Sequence, residues 1–593
     1  MTGEHKTERL CRALGSVGLA ADAQERVVDA LLNELGTRVI RRGETLIRER
    51  EHGEEAHVLL SGRLVARVRD EDGEIRLVGE ILPGELLGEV SLVHPGPRTA
   101  TLIAARDSEI VTIPRDVFLS LLEHHPSLAL GIAGIIIARW RRSTSGYVRQ
   151  SPRVIALVPA GSTTGVFAFE EALSRALLAT GRSVARASVS DHLDQLVLEE
   201  LETANDYVLL SMDGVASPRN DLCLAHADSV LLVADVGRAP TPPNAVERAA
   251  LQILSSEAPP SAALVLYGDA RAAGGAMREW LVGRSVARHH HVIAGSSASL
   301  GRFVRQLTLE ATGLVLGGGG ARGVAHLGAI RALAEAGIPI DAVGGTSFGA
   351  LVGAALAMGW DHRQMTSAFR TVLVERGSFF DYTAPFVAMT SGNRLVKILE
   401  RVYGQVDIED LELPFFCIAS NLSRSAPVTI SSGRLTDALR ASVSIPGIFP
   451  PVVRDRDLLV DGGLTNNLPV QAMHDRVGMT GRVLASDVTG RAALSSAGLK
   501  PDGTYSGWAH LVARLNPFRA ASEVPTLFGI LTACVSVAGG RSLAYGEDSI
   551  DLCFQPPVQG YGLLDWSAFD ELVEVGYRHA CERLERCPPD VRR

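Results

Sequence analysis

The chain has 593 residues, 46% of them hydrophobic and 21% charged, with a formal net charge of -9. That length exceeds a single compact core, the composition excludes the low-hydrophobicity, high-charge pattern of disorder, and the acidic balance gives no overall basic field to collect nucleic acid. Seven cysteines scattered from Cys11 to Cys587 fit neither a disulfide framework nor a paired CxxC zinc site, and they indicate a reducing, cytoplasmic compartment. The opening residues, MTGEHKTERLCRALGSVGL, carry charges where a signal peptide needs an apolar stretch. The longest apolar helical run, Leu128 to Ala138, is about half a membrane span, so no transmembrane helix is expected.

Helical patterns at 22–34 and 115–141 flank a stretch from Val39 to Ile113 of short, alternating apolar runs broken by Gly, Asp and Pro, which predicts a β-roll or barrel. The second helix ends in ArgTrpArgArg at 139–142; it reads as a buried domain-closing helix whose basic end the helix dipole favours, a membrane surface being the alternative. Inside the β-rich stretch, PGELLGEVSLVHPGPRTATLI sets Gly88 and Glu89 before an apolar segment and Pro97-Arg98-Thr99-Ala100 after it. An acceptor and an Arg fork near one short helix can hold a ribose hydroxyl and a phosphate together. These residues resemble the phosphate-binding cassette of cyclic-nucleotide-binding domains. The resemblance implies that Glu89 accepts the ribose 2′-OH and Arg98 pairs with the cyclic phosphate of cyclic AMP or cyclic GMP. It implies further that backbone N–H groups around Gly88 and Val90 complete the anion site, with Thr99 touching phosphate or purine.

Catabolite-type regulators continue from this module into a DNA-reading helix-turn-helix, whereas here residues 153 to about 312 alternate apolar strands (RVIALVPA, DYVLLSM, SVLLVADV, AALVLYG) with helical stretches. A small α/β layer domain is expected. Its first turn, PAGSTTGV, stands where a P-loop would but lacks the Gly-Lys-Ser/Thr ending, so it reads as scaffold. The AlaAlaGlyGlyAla run and the three histidines at 289–291 read as loops, the histidines as solvated surface instead of a metal site.

From Thr312 the sequence TGLVLGGGGARGVAHLGAIRALAEAGIPIDAVGGTSFGALVGAALAMG predicts a βαβα unit with two motifs at the C-terminal ends of adjacent strands, where open α/β sheets place their sites. In Gly345-Thr346-Ser347-Phe348-Gly349 the two glycines relieve crowding in a sharp turn that exposes Ser347 as a nucleophile. Gly318, Gly319 and Gly320 offer unobstructed N–H groups to an oxyanion, and Arg322 can hold that loop or add positive potential. The same GxGxxG pattern can cradle a dinucleotide, but Asp341, near the spacing of a ribose-binding acid, precedes a strand instead of ending one. Of His326, His362, His474 and His510 none stands in a triad setting, and His326 reads as packed. The stronger candidate base is Asp461, ending an apolar strand before Gly462 and Gly463, where the alternative reading is a turn.

Together these residues resemble the patatin-like phospholipases. The resemblance rests on the glycine loop Gly318 to Gly323, the elbow at Ser347, RASVSIPGIFPPV at 440–452, and Asp461-Gly462-Gly463 with AsnAsnLeuPro after it. The order of modules narrows it to the neuropathy target esterase type, as does GLLDWSAFDELVEVGY at 562–577. It implies a cyclic-nucleotide-binding domain at 1–148, an α/β scaffold domain at 153–308 and a patatin-like α/β hydrolase domain at 309–585. It also implies a Ser347–Asp461 dyad that cleaves acyl esters of phospholipid or lysophospholipid. Neither metal nor redox cofactor is expected for catalysis; a cyclic nucleotide is the expected allosteric ligand, a membrane's inner face the expected peripheral location, and no nucleic-acid partner is expected. Two departures from the animal enzymes are expected: one cyclic-nucleotide module, and no N-terminal anchor. GWAHLVARLNPF at 507–518 puts Trp508, Leu511, Val512 and Leu515 on one helical face near Arg514, as an interfacial lid or as a packed helix. The rival reading of the whole is a nucleotide-binding scaffold with an inactive hydrolase domain.

Overall fold

The computed structural model describes residues 35–489 and 549–587, apart from 70–74, 94–95, 145–150, 162–163, 190, 270–275, 376–379 and 479, together with a few single positions before 35. The candidate lid at 507–518 and most of the helical pattern at 22–34 lie outside the described residues. The chain divides into two compact units, Met1–Thr308 and Leu309–Arg593.

The first unit opens with an antiparallel β-roll of β1 (Arg38–Ile40), β2 (Thr45–Ile47), β3 (Glu55–Arg69), β4 (Ile75–Ile81), β5 (Leu86–Leu87) and β6 (Thr101–Pro114). Strand periodicity sorts its core: Ala56, Val58 and Leu60 of β3 enter one cluster with Val111 and Ile113, while Leu59 and Leu64 enter a second with Ile40 and Ile110. The helical pattern at 115–141 is two helices, Arg115–His124 and Ser127–Thr144, bent by 115°. Pro126 sits in the break and bars a continuous ladder of backbone bonds. Leu128 and Ile132 of the second helix are buried in the roll's core, whereas Leu130 and Ile137 are exposed, so its burial is one-sided. Among the described residues no single helix is long and apolar enough to cross a membrane.

The same unit continues into a six-stranded, fully parallel sheet: β7 (Val154–Ala160), β8 (Val184–Ala187), β9 (Tyr207–Ser211), β10 (Ser229–Asp235), β11 (Ser261–Gly268) and β12 (Arg288–Ile293), in the order β12-β11-β10-β7-β9-β8. The histidine run is a correction to the sequence reading, because His289, His290 and His291 form β12 and pair with Leu264, Val265 and Leu266 of β11. The His290 ring meets Phe303 edge-on at 5.1 Å, and burial, then His289 and Arg288, push its pKa down to about 3. It packs as a neutral ring. Among the described residues no group of three His, Cys, Asp or Glu side chains is placed to hold a metal. A buried ion cluster fastens roll to sheet: Arg106 of β6 meets Glu202 at 2.9 Å, and Arg63 of β3 meets Asp228 at 3.4 Å. Asp228 also accepts the N–H groups of Arg153 and Val154, each at 3.1 Å.

The second unit is a mixed sheet whose central strands are parallel. These are β13 (Thr312–Leu316), β14 (Ala342–Thr346), β15 (Phe415–Asn421), β19 (Arg482–Ser486) and β20 (Leu552–Phe554). Antiparallel β16 (Ala426–Ile430), β17 (Val452–Arg454) and β18 (Asp457–Asp461) extend it beyond β15. The sheet runs β17-β18-β15-β14-β13-β19-β20, with β13 and β14 at its centre. Both are buried along their whole length, as an apolar parallel strand covered on two faces must be.

Candidate active site

Strand register brings the two candidate catalytic side chains together. Thr346 of β14 pairs with Ile418 of β15, and Ala419 of β15 pairs with Asp461 of β18, so the residue after Thr346 and the last residue of β18 flank one point on β15. Across that strand the Ser347 hydroxyl donates to Asp461 Oδ2 at 2.7 Å. Ser347 has φ 54° and ψ -123° at the start of helix Phe348–Ala357, a conformation that costs a non-glycine residue about 1–3 kcal/mol and recurs at functional sites. The surrounding residues enforce it. A Cβ on Gly345 would lie 2.6 Å from the Gly349 backbone, and one on Gly349 would lie 2.2 Å from the Leu316 carbonyl, so only glycine fits at either side of the elbow. The Ser347 N–H donates to Ser442 Oγ at 3.0 Å, which itself donates to the Ile418 carbonyl at 2.7 Å.

Asp461 is buried, and its Oδ1 accepts the Gly463 N–H at 2.8 Å. Burial is the dominant influence on its carboxyl and pushes the pKa up to about 6, against the opposing hydrogen bonds from Ser347 and Gly463. Gly462 is required by close approach, since a Cβ there would meet the Ile418 carbonyl at 2.3 Å.

The glycine loop lies beside the serine. A Cβ on Gly318 would stand 2.6 Å from Asn467 Oδ1 and 3.1 Å from Ser347 Cβ. Among the described residues the N–H groups of Gly318, Gly319 and Gly320 donate to no protein acceptor, whereas the flanking Gly317 and Ala321 N–H groups donate to Ser486 and Leu563 carbonyls. Gly320 has φ 55°, and the loop passes into a 3-10 turn, Gly320–Val324, before helix Ala325–Glu335. A Cβ on Gly323 would run into the Phe348 ring at 2.5 Å. Arg322 ties the loop down, donating to the carbonyls of Tyr561 at 2.8 Å and Thr489 at 2.9 Å. His326 is buried between Ser486 Oγ and the Gly317 carbonyl, each at 2.8 Å, and burial lowers its pKa to about 4. It braces the ends of β13 and β19. Asp341 is also buried and accepts the Thr312 N–H at 2.9 Å, joining strands instead of facing a ligand.

The elbow opens into a cleft walled by apolar side chains such as Phe369, Leu395, Leu399, Ile448 and Phe449. Leu563, Leu564 and Trp566 complete the wall from the C-terminal tail. The sequence reading quoted the segments containing Ser442, Asn467 and this tail but gave them no role. Asn467 Nδ2 holds the Gly318 carbonyl at 3.1 Å and Thr489 Oγ1 at 3.0 Å. The signal was present in RASVSIPG and AsnAsnLeuPro, but their partners lie far away in sequence.

In the β-roll, Gly88 takes φ 74° ahead of the short helix Glu89–Val93, and Glu89 and Arg98 are both buried. The Arg98 guanidinium donates to the Gly88 carbonyl at 2.7 Å, Ser91 Oγ at 2.8 Å and the Glu55 carbonyl at 2.7 Å. Burial lowers its pKa, and the charges of Glu55 and Glu89 oppose that shift. Gly53 lets the guanidinium lie against the backbone, where a Cβ would meet Nη2 at 2.2 Å. Val90 is half-buried, and Thr99 is exposed beside Arg98. In the α/β layer, Gly161 follows β7 with φ 80°, and its N–H reaches Glu247 Oε1 at 3.3 Å. Glu247 is in turn paired with Arg284 at 2.6 Å.

A strained serine elbow, a glycine loop and an aspartate across β15 define the second unit as a patatin-like domain, and the patatin-like phospholipase family matches residues 314–474. The cyclic nucleotide-binding domain family matches 37–125, and the Neuropathy Target Esterase family P-loop like domain matches 151–310. By these three domains the chain is a patatin-like protein of the neuropathy target esterase type. It is similar to Lysophospholipase nte1 of Aspergillus fumigatus, 29% identical over 640 residues that cover 92% of this chain and 41% of that protein. It is also similar to the Neuropathy target esterase sws of Drosophila melanogaster, 30% identical with 90% and 41% covered. The chain thus spans 41% of the length of these curated relatives. Among solved structures, a cyclic nucleotide-binding domain from Methylobacillus flagellatus aligns over 23% of this chain and 80% of its own at 21% identity, with a TM-score of 0.22.

Proposed function

We propose that the protein is a serine esterase that hydrolyses acyl esters of phospholipids or lysophospholipids. The observation that carries this reading is the 2.7 Å hydrogen bond from Ser347 Oγ to Asp461 at an apolar cleft. Ser347 Oγ attacks the acyl carbonyl while Asp461 takes its proton, so no histidine is needed. The N–H groups of Gly318, Gly319 and Gly320 receive the oxyanion, and the N-terminus of helix Phe348–Ala357 favours negative charge beside it. Collapse expels the alcohol, which takes the proton from Asp461. Water, deprotonated by Asp461, then attacks the acyl-enzyme, and collapse releases the fatty acid as Asp461 returns that proton to Ser347 Oγ. The cleft supplies the apolar surface that an acyl chain needs, and the curated relatives' names as lysophospholipases support the substrate class.

The β-roll is the regulatory module in this reading. Cyclic nucleotide binds at Gly88, Glu89, Val90, Arg98 and Thr99, its phosphate displacing the carbonyl partners that Arg98 now holds. A ligand regulates only through unequal affinity for the active and inactive states. The enzyme works in the cytoplasm as a peripheral protein on the inner face of a membrane. The test is fatty-acid release from a panel of phospholipids and lysophospholipids, comparing wild type with Ser347→Ala, each with and without cyclic AMP or cyclic GMP. Release lost in the variant supports the esterase. No release by a folded wild type favours the nucleotide-binding scaffold instead, and activity unchanged at saturating nucleotide ends the regulatory reading.

A further inference from the structure

Beside the cleft stands a surface that the reaction does not use. Residues 382–387, Tyr-Thr-Ala-Pro-Phe-Val, are uncharged and exposed without exception, with Tyr382, Phe386 and Val387 76%, 95% and 70% exposed. Large apolar side chains held this far into water are costly unless something covers them. The segment is firmly held from below. Thr383 N–H donates to Met389 O at 2.9 Å, Met389 N–H to Gly447 O at 2.9 Å, and Thr390 N–H to Ile448 O at 3.1 Å. Asp381, the nearest acid, is consumed by the N–H groups of Gly392 and Arg394, each at 3.0 Å, and by the Ser391 hydroxyl at 2.6 Å.

Two observations indicate what covers the tip. The first is continuity with the cleft: Phe380 lines it and stacks on Tyr382 with ring centroids 5.9 Å apart, so apolar surface runs unbroken from the cleft wall to the exposed segment. The second is charge. Helix Asn393–Tyr403, whose first turn is held by Asp381, turns Leu395, Leu399 and Val402 into the cleft wall. At spacings of three and four residues, exposed Arg394, Lys397 and Arg401 form a basic stripe along one flank of that helix, while Val396 and Glu400 take the other. An apolar tip beside a row of cations suits a bilayer of anionic lipid, in which the tip enters the acyl boundary and the cations meet the head groups.

We propose that residues 382–387 and the Arg394–Lys397–Arg401 stripe form the element that docks the hydrolase unit on an anionic lipid surface, with the mouth of the cleft set against the acyl chains. This inference rests on the esterase reading for its purpose but not for its test. Binding is measured by sedimentation of the full chain carrying Ser347→Ala with vesicles of phosphatidylcholine, alone or mixed with phosphatidylglycerol, so no hydrolysis is needed. Adding Phe386→Ser and Val387→Ser is expected to weaken partitioning into both vesicles by about tenfold or more, since two apolar side chains no longer leave water. Arg394→Glu with Lys397→Glu is expected to abolish only the preference for phosphatidylglycerol, and salt should do the same to the unchanged chain. With Ser347 restored, both variants should still cleave a short soluble ester. Where a serine variant fails to fold, Phe386→Trp serves instead, and brominated acyl chains should quench its added fluorescence. Partitioning that is unchanged by the serine pair, or no quenching of the introduced indole on bound vesicles, overturns the proposal, as does a tip that binds protein and no vesicle. Vesicle binding by a wild type that cleaves no ester would sink the esterase reading and leave the docking surface standing.

Discussion

Ser347 Oγ and Asp461 Oδ2 lie 2.7 Å apart although Ser347 follows the end of β14 and Asp461 ends β18, with β15 between the two strands. The hydrogen bond therefore reports the state of the sheet as well as that of the site. As the proposed base, Asp461 must be ionised to take the serine proton, and burial holds its pKa up at about 6 instead of the ordinary value of about 4. Hydrolysis of a soluble ester should rise with pH through about 6 and level off above it. A pH profile of kcat/KM checks this, and activity already level at pH 5 would remove Asp461 as the base.

The same residue should limit stability. Its folded pKa lies above its unfolded value, so the stability it contributes as a neutral acid is complete below about pH 4 and is lost as the pH rises through about 6. Asp461→Asn keeps both hydrogen bonds, with the amide oxygen accepting from Gly463 and the amide N–H donating to Ser347. The variant should lose hydrolysis yet unfold at a higher temperature than wild type at pH 8, by up to about 3 kcal/mol. Thermal unfolding at pH 8 and at pH 4 separates the cases, because the gain should vanish at the lower value.

Gly318 tests the proposed oxyanion role of the glycine loop. An added Cβ would press on Asn467 Oδ1 and Ser347 Cβ, moving the N–H groups from where an oxyanion forms. Gly318→Ala should lower kcat about a hundredfold or more while changing KM little, since donors aimed at the oxyanion act mainly in the transition state. Steady-state kinetics on a soluble ester decide it; an equal loss through KM would assign the loop to substrate binding.

Much of the candidate site's geometry is legible in the sequence, because its residues sit in local patterns. Glycines two residues either side of Ser347 and an acid ending an apolar strand are readable from spacing alone. Also readable are the β-roll, from its short alternating runs, and the strands of the α/β layer, from their continuous apolar runs. The failures have a common cause. The histidine run reads as a loop because His is polar, yet β12 pairs with β11 in parallel and packs His290 on Phe303, and tertiary burial outweighs composition. Pro126 marks the helix break at 125–126, but apolar residues on both sides suggest one helix. Ser442, Asn467 and the tail act through partners distant in sequence, as in Ser347 with Ser442 at a separation of 95, and no local pattern encodes that distance.

Arg322 joins the glycine loop to the tail. Its guanidinium donates to the Tyr561 and Thr489 carbonyls, and the Ala321 N–H donates to Leu563 O at 2.8 Å, so loop and cleft wall share one set of bonds. Arg322→Ala strands both side-chain-bonded carbonyls, at about 1–3 kcal/mol for each one buried. Residues 561–566 should then exchange amide hydrogens faster, and kcat should fall together with thermal stability. Arg322→Lys should recover only part of both, because an ammonium cannot span two carbonyls with a planar fork. Unchanged exchange in the tail with lost activity would place Arg322 in the chemistry itself.

Asp228 makes the corresponding prediction for the first unit. Burial works against its charge, but Arg106 and Arg63 and the N–H groups of Val154 and Arg153 more than offset it, holding the carboxyl below the ordinary range. Stability from this group is therefore present above its unfolded value near pH 4 and is lost as the pH falls through the lower folded value. Asp228→Asn removes the counter-ion that Arg63 and Arg106 share but leaves them Glu80 and Glu202, so the loss should fall below the roughly 3–5 kcal/mol of a buried charge left wholly unpaired. At neutral pH the variant's β-roll should melt at a lower temperature than wild type, with the patatin-like domain little affected, and the difference should shrink below pH 4 as the wild-type carboxyl protonates. Calorimetry of the full chain, with the hydrolase transition followed by loss of esterase activity, resolves the two. A variant that lowers both transitions equally would show that the cluster supports more than the joint between roll and sheet.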